Sequence, residues 1–336
     1  MRIRGEDRVS KKYQVVGIGN AVVDVLTTCD DSFLAHMGIE KGIMQLIERD
    51  RAETLFAAMG ERTQQSGGSV ANTIAGCGSA GLSTAFIGRV NDDALGRFYA
   101  EDMAEDGGAF VNDPVVGGDL PTSRCMIFVT PDGERSMNTY LGISTDVGPG
   151  DVDEVVCEGA EILFLEGYLY DKPAGKQAFE KAARATRRGG GKGGIALSDP
   201  FCVNRHREDF QRLVGQELDY VIGNSHEFEA LYETDLESAL TKAASVCDLV
   251  VCTRSGDPVV IISGDERVEV PVHTVVPVDA TGAGDQFAAG FLAGLAQGKP
   301  LAECGQMGCI AAAEVIGHMG ARPEQPLQAL FARAGV

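Results

Sequence analysis

Short runs of β-branched and apolar residues alternate along the chain with longer stretches whose apolar positions recur every three to four residues. The runs at 13–19, 84–87, 161–165, 194–198, 220–223, 249–253 and 259–262 are apolar at nearly every position, the pattern of strands buried on both faces. The stretches 173–188, 236–246, 283–296 and 301–315 are Ala-rich, free of internal proline and long enough for several turns, which predicts helices. This rhythm predicts an α/β fold: a mostly parallel central sheet flanked by helices.

Two stretches break the rhythm, at about 22–47 and 107–140, where turn residues such as Pro131-Asp132-Gly133 separate short extended segments. They predict one small β-sheet lid, inserted into a single domain spanning 1–336. Such a lid would sit over the carboxyl edge of the sheet, where ligands of open α/β sheets bind. The Gly-rich run 189–194 reads as a helix-to-strand loop.

The densest chemical signal is Asp279-Ala280-Thr281-Gly282-Ala283-Gly284-Asp285 at the start of the helix 283–296. Gly282 and Gly284 remove side chains where the first unpaired N–H groups of the helix point outward, so an anion can approach the backbone and the positive dipole end. A carboxylate beside such a cradle, Asp285, is costly unless it serves a proton or a metal; the alternative is an acidic residue complementing the helix dipole. A second signal is Ser66-Gly67-Gly68-Ser69-Val70-Ala71-Asn72, where adjacent glycines permit close backbone approach, Asn72 offers donors and an acceptor, and Ser69 suits a helix N-cap.

Gly19-Asn20 ends the first strand, and Asp24 follows as a candidate acceptor for a vicinal diol or as an Asx turn. Asn224 and Glu227 stand one helical turn apart after the strand 220–223, placed to hold the water shell of Mg²⁺ or to cap the helix. Three tempting motifs fail. Gly191-Lys192 lacks the upstream glycine of a phosphate-binding P-loop, since Thr186 stands there; Gly17-Ile18-Gly19 meets Val22 where a dinucleotide fingerprint needs its third glycine; and no H-E-x-x-H pair exists for zinc.

Composition narrows the partners. With 29 basic and 49 acidic residues among 336, the net charge of -20 repels polyanions and anionic membrane surfaces, so neither nucleic acid nor membrane is an expected partner. Nine cysteines without a C-x-x-C pair point to a reducing, cytoplasmic setting. The charged start through Lys12 is not that of a signal peptide, and no apolar run is long enough to span a bilayer.

Taken in order, Gly67-Gly68 with Asn72, Asn224 with Glu227, and Asp279 through Asp285 resemble the ribokinase/PfkB family of carbohydrate and nucleoside kinases, over nearly the whole chain. Val16 to Asn20 with Asp24, Gly42 to Leu46 and Thr122 to Cys125 look most like its adenosine kinase branch. The resemblance implies a ribokinase-like fold and an ATP- and Mg²⁺-dependent phosphotransferase, converting adenosine to AMP in the first instance. A sugar kinase acting on ribose, fructose or a sugar acid is the alternative, and a non-catalytic nucleotide sensor the alternative of another class.

By the same resemblance Asp285 is the base, with Gly282, Ala283 and Gly284 as the anion cradle. Asn20, Asp24, Gly67, Gly68, Asn72, Cys125 and the lid residue Arg135 are implied at the acceptor. Asn224, Thr253 and Gly256 are implied on the ATP side, Asn224 and Glu227 at water-held Mg²⁺, and Asp279 and Thr281 at a monovalent cation such as K⁺. For Arg135 the plain alternative is a surface ion pair. Phe33, Met44 and Cys125 are candidates to line a slot for a base, and the late loop 319–323 is matched only as a region. The assembly expected is a monomer or homodimer.

Overall fold

The computed structural model describes residues 12–105 and 107–336; the charged stretch before Lys12 lies outside the described residues. In chain order the strands are β1 Tyr13–Ile18, β2 Val22–Thr28, β3 Met44–Leu46, β4 Thr63–Gly67, β5 Thr84–Ile87, β6 Gly108–Phe110 and β7 Ser123–Val129. They continue as β8 Arg135–Tyr140, β9 Ala160–Glu166, β10 Lys192–Ala196, β11 Tyr220–Asn224, β12 Leu249–Arg254, β13 Asp257–Ser263 and β14 Glu266–Val270.

Nine of them form one sheet in the order β14-β13-β12-β11-β10-β9-β1-β5-β6, parallel from β6 to β12 and antiparallel at the β12-β13-β14 end. All the strands expected from apolar runs lie in it. Both faces are covered, and alternate residues serve different layers: Val15 and Phe164 pack into one apolar cluster, Val16, Leu163 and Leu165 into the other.

The expected helices form as Pro173–Arg188, Leu236–Ala244, Ala283–Ala296 and Leu301–Ile316. Ala283–Ala296 packs against both Ser69–Ser79 and Leu301–Ile316, and small residues set the spacing. A Cβ added at Gly76 would stand 2.6 Å from the Ala289 methyl, and one at Gly290 would stand 2.3 Å from the Met307 carbonyl oxygen. This close approach carries residues of Ser69–Ser79 to the first turn of Ala283–Ala296.

The remaining strands form a second sheet, β3-β8-β7-β2-β4. Two expectations for the appendage at 22–47 and 107–140 need correction. Gly108–Phe110 pairs with β5 at the edge of the large sheet, and the small sheet gains β4, Thr63–Gly67, from outside both stretches. β4 runs straight into Gly68 and the helix Ser69–Ser79, so the small sheet is tied directly to the cleft. Among the described residues no helix is long and apolar enough to cross a membrane, and all nine cysteines are free thiols.

Candidate active site

The site is assembled at the carboxyl ends of β1, β9, β10, β11 and β12. Gly282 holds a left-handed φ of 77° before the helix Ala283–Ala296, and a Cβ there would lie 2.7 Å from the Ala321 Cα, so only glycine passes. Gly284 faces open space. Asp285 sits in the first helical turn with both carboxylate oxygens engaged: Ser69 Oγ donates to Oδ1 at 2.7 Å and Asn72 Nδ2 to Oδ2 at 3.0 Å. Thr73 Oγ1 donates to the Asp285 carbonyl at 3.1 Å. Ser69, Asn72 and Thr73 recur at one-turn spacing, so one helix face grips the acid.

Ser69 therefore does not cap its helix as the sequence suggests; Gly68 occupies the N-cap without a side-chain bond, and the Ser69 hydroxyl is spent on Asp285. Burial pushes the Asp285 carboxyl up to about 6, with the Asn72 and Ser69 bonds pulling against it. Asp24 is no Asx turn: it lies within β2, opposite Gln65 of β4, and a Cβ added at the nearby Gly67 would stand 2.6 Å from the Asp24 Oδ2. Burial raises Asp24 to about 6 as well, while Arg135 and Arg322 lower it and Asp285 raises it further.

Asn20 is not free to bind an acceptor. Its Nδ2 donates to Glu166 Oε1 at 2.6 Å, its Oδ1 accepts Ser144 Oγ at 2.8 Å, and it is 4% exposed, so its amide braces the wall. Glu166, at the end of β9, also accepts the Asn20 and Val70 backbone N–H groups, and burial pushes it up to about 7 despite these bonds. No motif flags Glu166; the only trace is a carboxylate closing the apolar run Ile162 to Leu165.

Opposite Asp285, Asn224 and Glu227 form a reciprocal capping box: Asn224 Oδ1 accepts Glu227 N–H at 3.0 Å, and Glu227 Oε2 accepts Asn224 N–H at 2.8 Å. Both also line a narrow cleft of about 100 Å³ together with Ser198, Thr253, Gly284 and Asp285. Burial pushes Glu227 up to about 7, with the Asn224 N–H lowering it and Asp199 raising it. Gly256 lies at the exposed turn between β12 and β13, outside that lining. A wider hollow of about 700 Å³ bounded by Thr28, Cys29, Phe33 and His36 contains none of these groups.

Arg135 is no surface pair. It reaches from β8 to the Asp279 carboxylate, and both side chains are 8% exposed. Burial raises the Asp279 carboxyl, but bonds from Thr281 and Gly320 and the Arg135 charge more than offset it and hold the acid below its usual range.

Residues 40–328 match the pfkB family carbohydrate kinase. The chain belongs to this family. As a family member it is a phosphotransferase acting on a hydroxyl group. It is similar to the adenosine kinase of Sinorhizobium meliloti, at 45% identity over 97% of this chain and all of the other, with a TM-score of 0.87. It is similar also to a probable sugar kinase protein of Rhizobium etli CFN 42, at 42% identity over 97% of this chain and 99% of the other, with a TM-score of 0.88. Adenosine kinase 1 of Arabidopsis thaliana is 28% identical over 93% of this chain and 96% of its own length.

In this pfkB kinase the late loop contributes a residue that the sequence marks only regionally. Arg322, 5% exposed, reaches Asn72 Oδ1 through Nε at 3.5 Å and lies 3.7 Å from Asp102 through Nη1. A cation at Oδ1 fixes the amide so that Nδ2 faces Asp285. Arg322→Met is expected to lower kcat about tenfold with the KM for ATP little changed. An unchanged kcat in steady-state assays would remove Arg322 from the support of Asp285.

Proposed function

We propose that the chain transfers the γ-phosphoryl group of ATP to the primary hydroxyl of a nucleoside, with adenosine the first acceptor. The observation that carries this reading is the inner face of the small sheet. Residues opposite one another in register share a face, and Asp24 shares its face with Leu26 on β2, Cys125 and Ile127 on β7, and Met137 and Thr139 on β8. One carboxylate beside an apolar platform suits a ligand with a diol at one end and a flat apolar base at the other. The likeness to the Sinorhizobium meliloti adenosine kinase supports the same reading.

Met44 joins that face at its edge, opposite Met137. Phe33 does not; its ring packs 5.5 Å from Phe128, on the other side of β7 from Ile127. Phe201, three residues beyond Ser198 and 76% exposed, offers an aromatic surface that no local motif marks.

In the proposed reaction the acceptor hydroxyl gives its proton to an Asp285 carboxylate oxygen as its own oxygen bonds to the γ-phosphorus. The bond from that phosphorus to the bridging oxygen breaks, and ADP leaves. Backbone N–H groups at Gly282, Ala283 and Gly284 receive the charge of the transferring group. The buried Arg135 Nε, without a hydrogen-bond partner among the described residues, is a further donor for it. Asp24 orients the diol, Asn72 holds Asp285 in place beside it, and Thr253 borders the ATP side.

Asn224 and Glu227 supply one carboxylate with lone pairs beyond its capping bonds, and among the described residues no group of three acids, histidines or cysteines surrounds a metal. That set fits Mg²⁺ held through water and carried by ATP. A Mg²⁺ ion held by these residues through water would supply positive charge to the phosphates of ATP. The thiols and the ATP requirement fit a cytosolic setting.

A base raised to about 6 is protonated, and idle, below that pH. The acid limb of kcat/KM is expected to bend near 6 and level off by about 7.5. A flat profile from 5 to 8 contradicts the base. The platform has its own test: Leu26→Gln is expected to raise the KM for adenosine about tenfold and leave that for ATP unchanged. An unchanged KM for adenosine would put the base elsewhere.

A further inference from the structure

The resemblance implies a monovalent cation at Asp279 and Thr281, yet the carboxylate oxygens that Asp279 would offer it are taken. Asp279 Oδ1 accepts the Thr281 backbone N–H at 2.9 Å and the Thr281 hydroxyl at 2.6 Å. Oδ2 accepts the Gly320 N–H at 3.0 Å and the guanidinium of Arg135. A carboxylate offers about four lone-pair directions, and these donors use them all. An alkali ion entering here would displace Arg135 and strand a buried guanidinium beside its own charge, which is strongly unfavourable.

We propose that the guanidinium of Arg135 is the internal cation of this kinase, supplying to Asp279 the positive charge that a free monovalent ion would otherwise bring. The charges balance, since one arginine and one alkali ion each contribute a single unit. The source differs. Arg135 is carried by β8 of the small sheet, whereas Asp279 begins the loop that runs through Thr281 to the Gly282 anion cradle. Gly320 and Gly282 tie the same carboxylate and cradle to the late loop, through the Gly320 N–H and through contact with Ala321. Seating the small sheet and completing the charge set of the anion loop therefore become one event, and turnover needs no K⁺.

The inference rests on the kinase reading only for its activity arm, so the experiment has two readouts. Wild type and Arg135→Ala are assayed with ATP and Mg²⁺ in potassium or choline chloride at equal ionic strength, and the ligand-free proteins are melted in the same salts. Wild-type turnover is expected to agree within about twofold between the salts, and its melting temperature to be the same in both. Arg135→Ala is expected to lose activity in choline, to regain about tenfold in K⁺, and to melt at higher temperature in K⁺ by mass action. Arg135→Gln, which keeps a donor but no charge, carries the same comparison if the alanine variant does not fold. K⁺ activation or stabilisation of the wild type, or variants melting alike in both salts, overturns the proposal. Should no acceptor be turned over at all, the melts still decide it.

Discussion

Asp285→Asn is expected to remove roughly 10²- to 10⁴-fold of kcat while the affinity for ATP stays within about twofold. The variant keeps the size of the side chain and an oxygen able to accept a hydrogen bond from Asn72 or Ser69. What it loses is the capacity to take a proton. Because Ser69, Asn72 and Thr73 hold this residue from one helix face, the amide remains in place and the fold is retained. A coupled ADP-release assay and calorimetric titration with ATP read the two quantities separately. Turnover near the wild-type level would move the base to another group, with Asp24 next in line because burial raises it to about 6 and Asp285 stands close enough to raise it further.

The second large effect belongs to the paired glycines and separates their roles. Gly68 has a φ of 108°, and a Cβ there would lie 2.0 Å from the Asn20 carbonyl oxygen, a backbone atom with nowhere to go. Gly68→Ala is expected to cost roughly 3 kcal/mol of stability, from the strained backbone conformation and the overpacked contact, and to abolish most activity because β4 and the Ser69–Ser79 helix are both displaced. At Gly67 the obstructing atoms are those of the Asp24 carboxylate, which can rotate away. Gly67→Ala is therefore expected to leave the melting temperature nearly unchanged and to raise the KM of the phosphate acceptor. Denaturant titration and acceptor kinetics distinguish the two; equal stability losses at both positions would contradict the assignment.

Much of the large sheet was legible because its strands are apolar on both faces, as in Val15 to Ile18 and Ile162 to Leu165. What escaped was polar or short. β4 reads Thr-Gln-Gln-Ser-Gly, β14 alternates Glu and Arg with valines, and β6 has three residues. Their pairing is decided by neighbours rather than by composition.

The loop from Asp279 to Asp285 was visible as a motif because its glycines and acids are adjacent in sequence. Its surroundings were not. Ser69 lies 216 positions from the acid it holds, and Arg322 lies 250 from Asn72, distances across which no local pattern operates. Asn20 shows the opposite failure: its residue type suits an acceptor ligand, but only the fold reveals that Glu166 and Ser144 have already used its amide. Asp279 is similar, since its filled acceptors depend on an arginine carried by the small sheet.

The nucleoside reading is tested most directly by ADP release with ATP and Mg²⁺ across adenosine, other nucleosides, ribose, fructose and sugar acids, comparing kcat/KM. The apolar face around Leu26, Ile127 and Met137 predicts a preference for adenosine over ribose of about 10²-fold or more, the worth of burying one base. Equal or better turnover of a free sugar would discard the base platform while keeping the phosphoryl-transfer roles, and silence on every acceptor would contradict catalysis and leave a nucleotide-binding sensor.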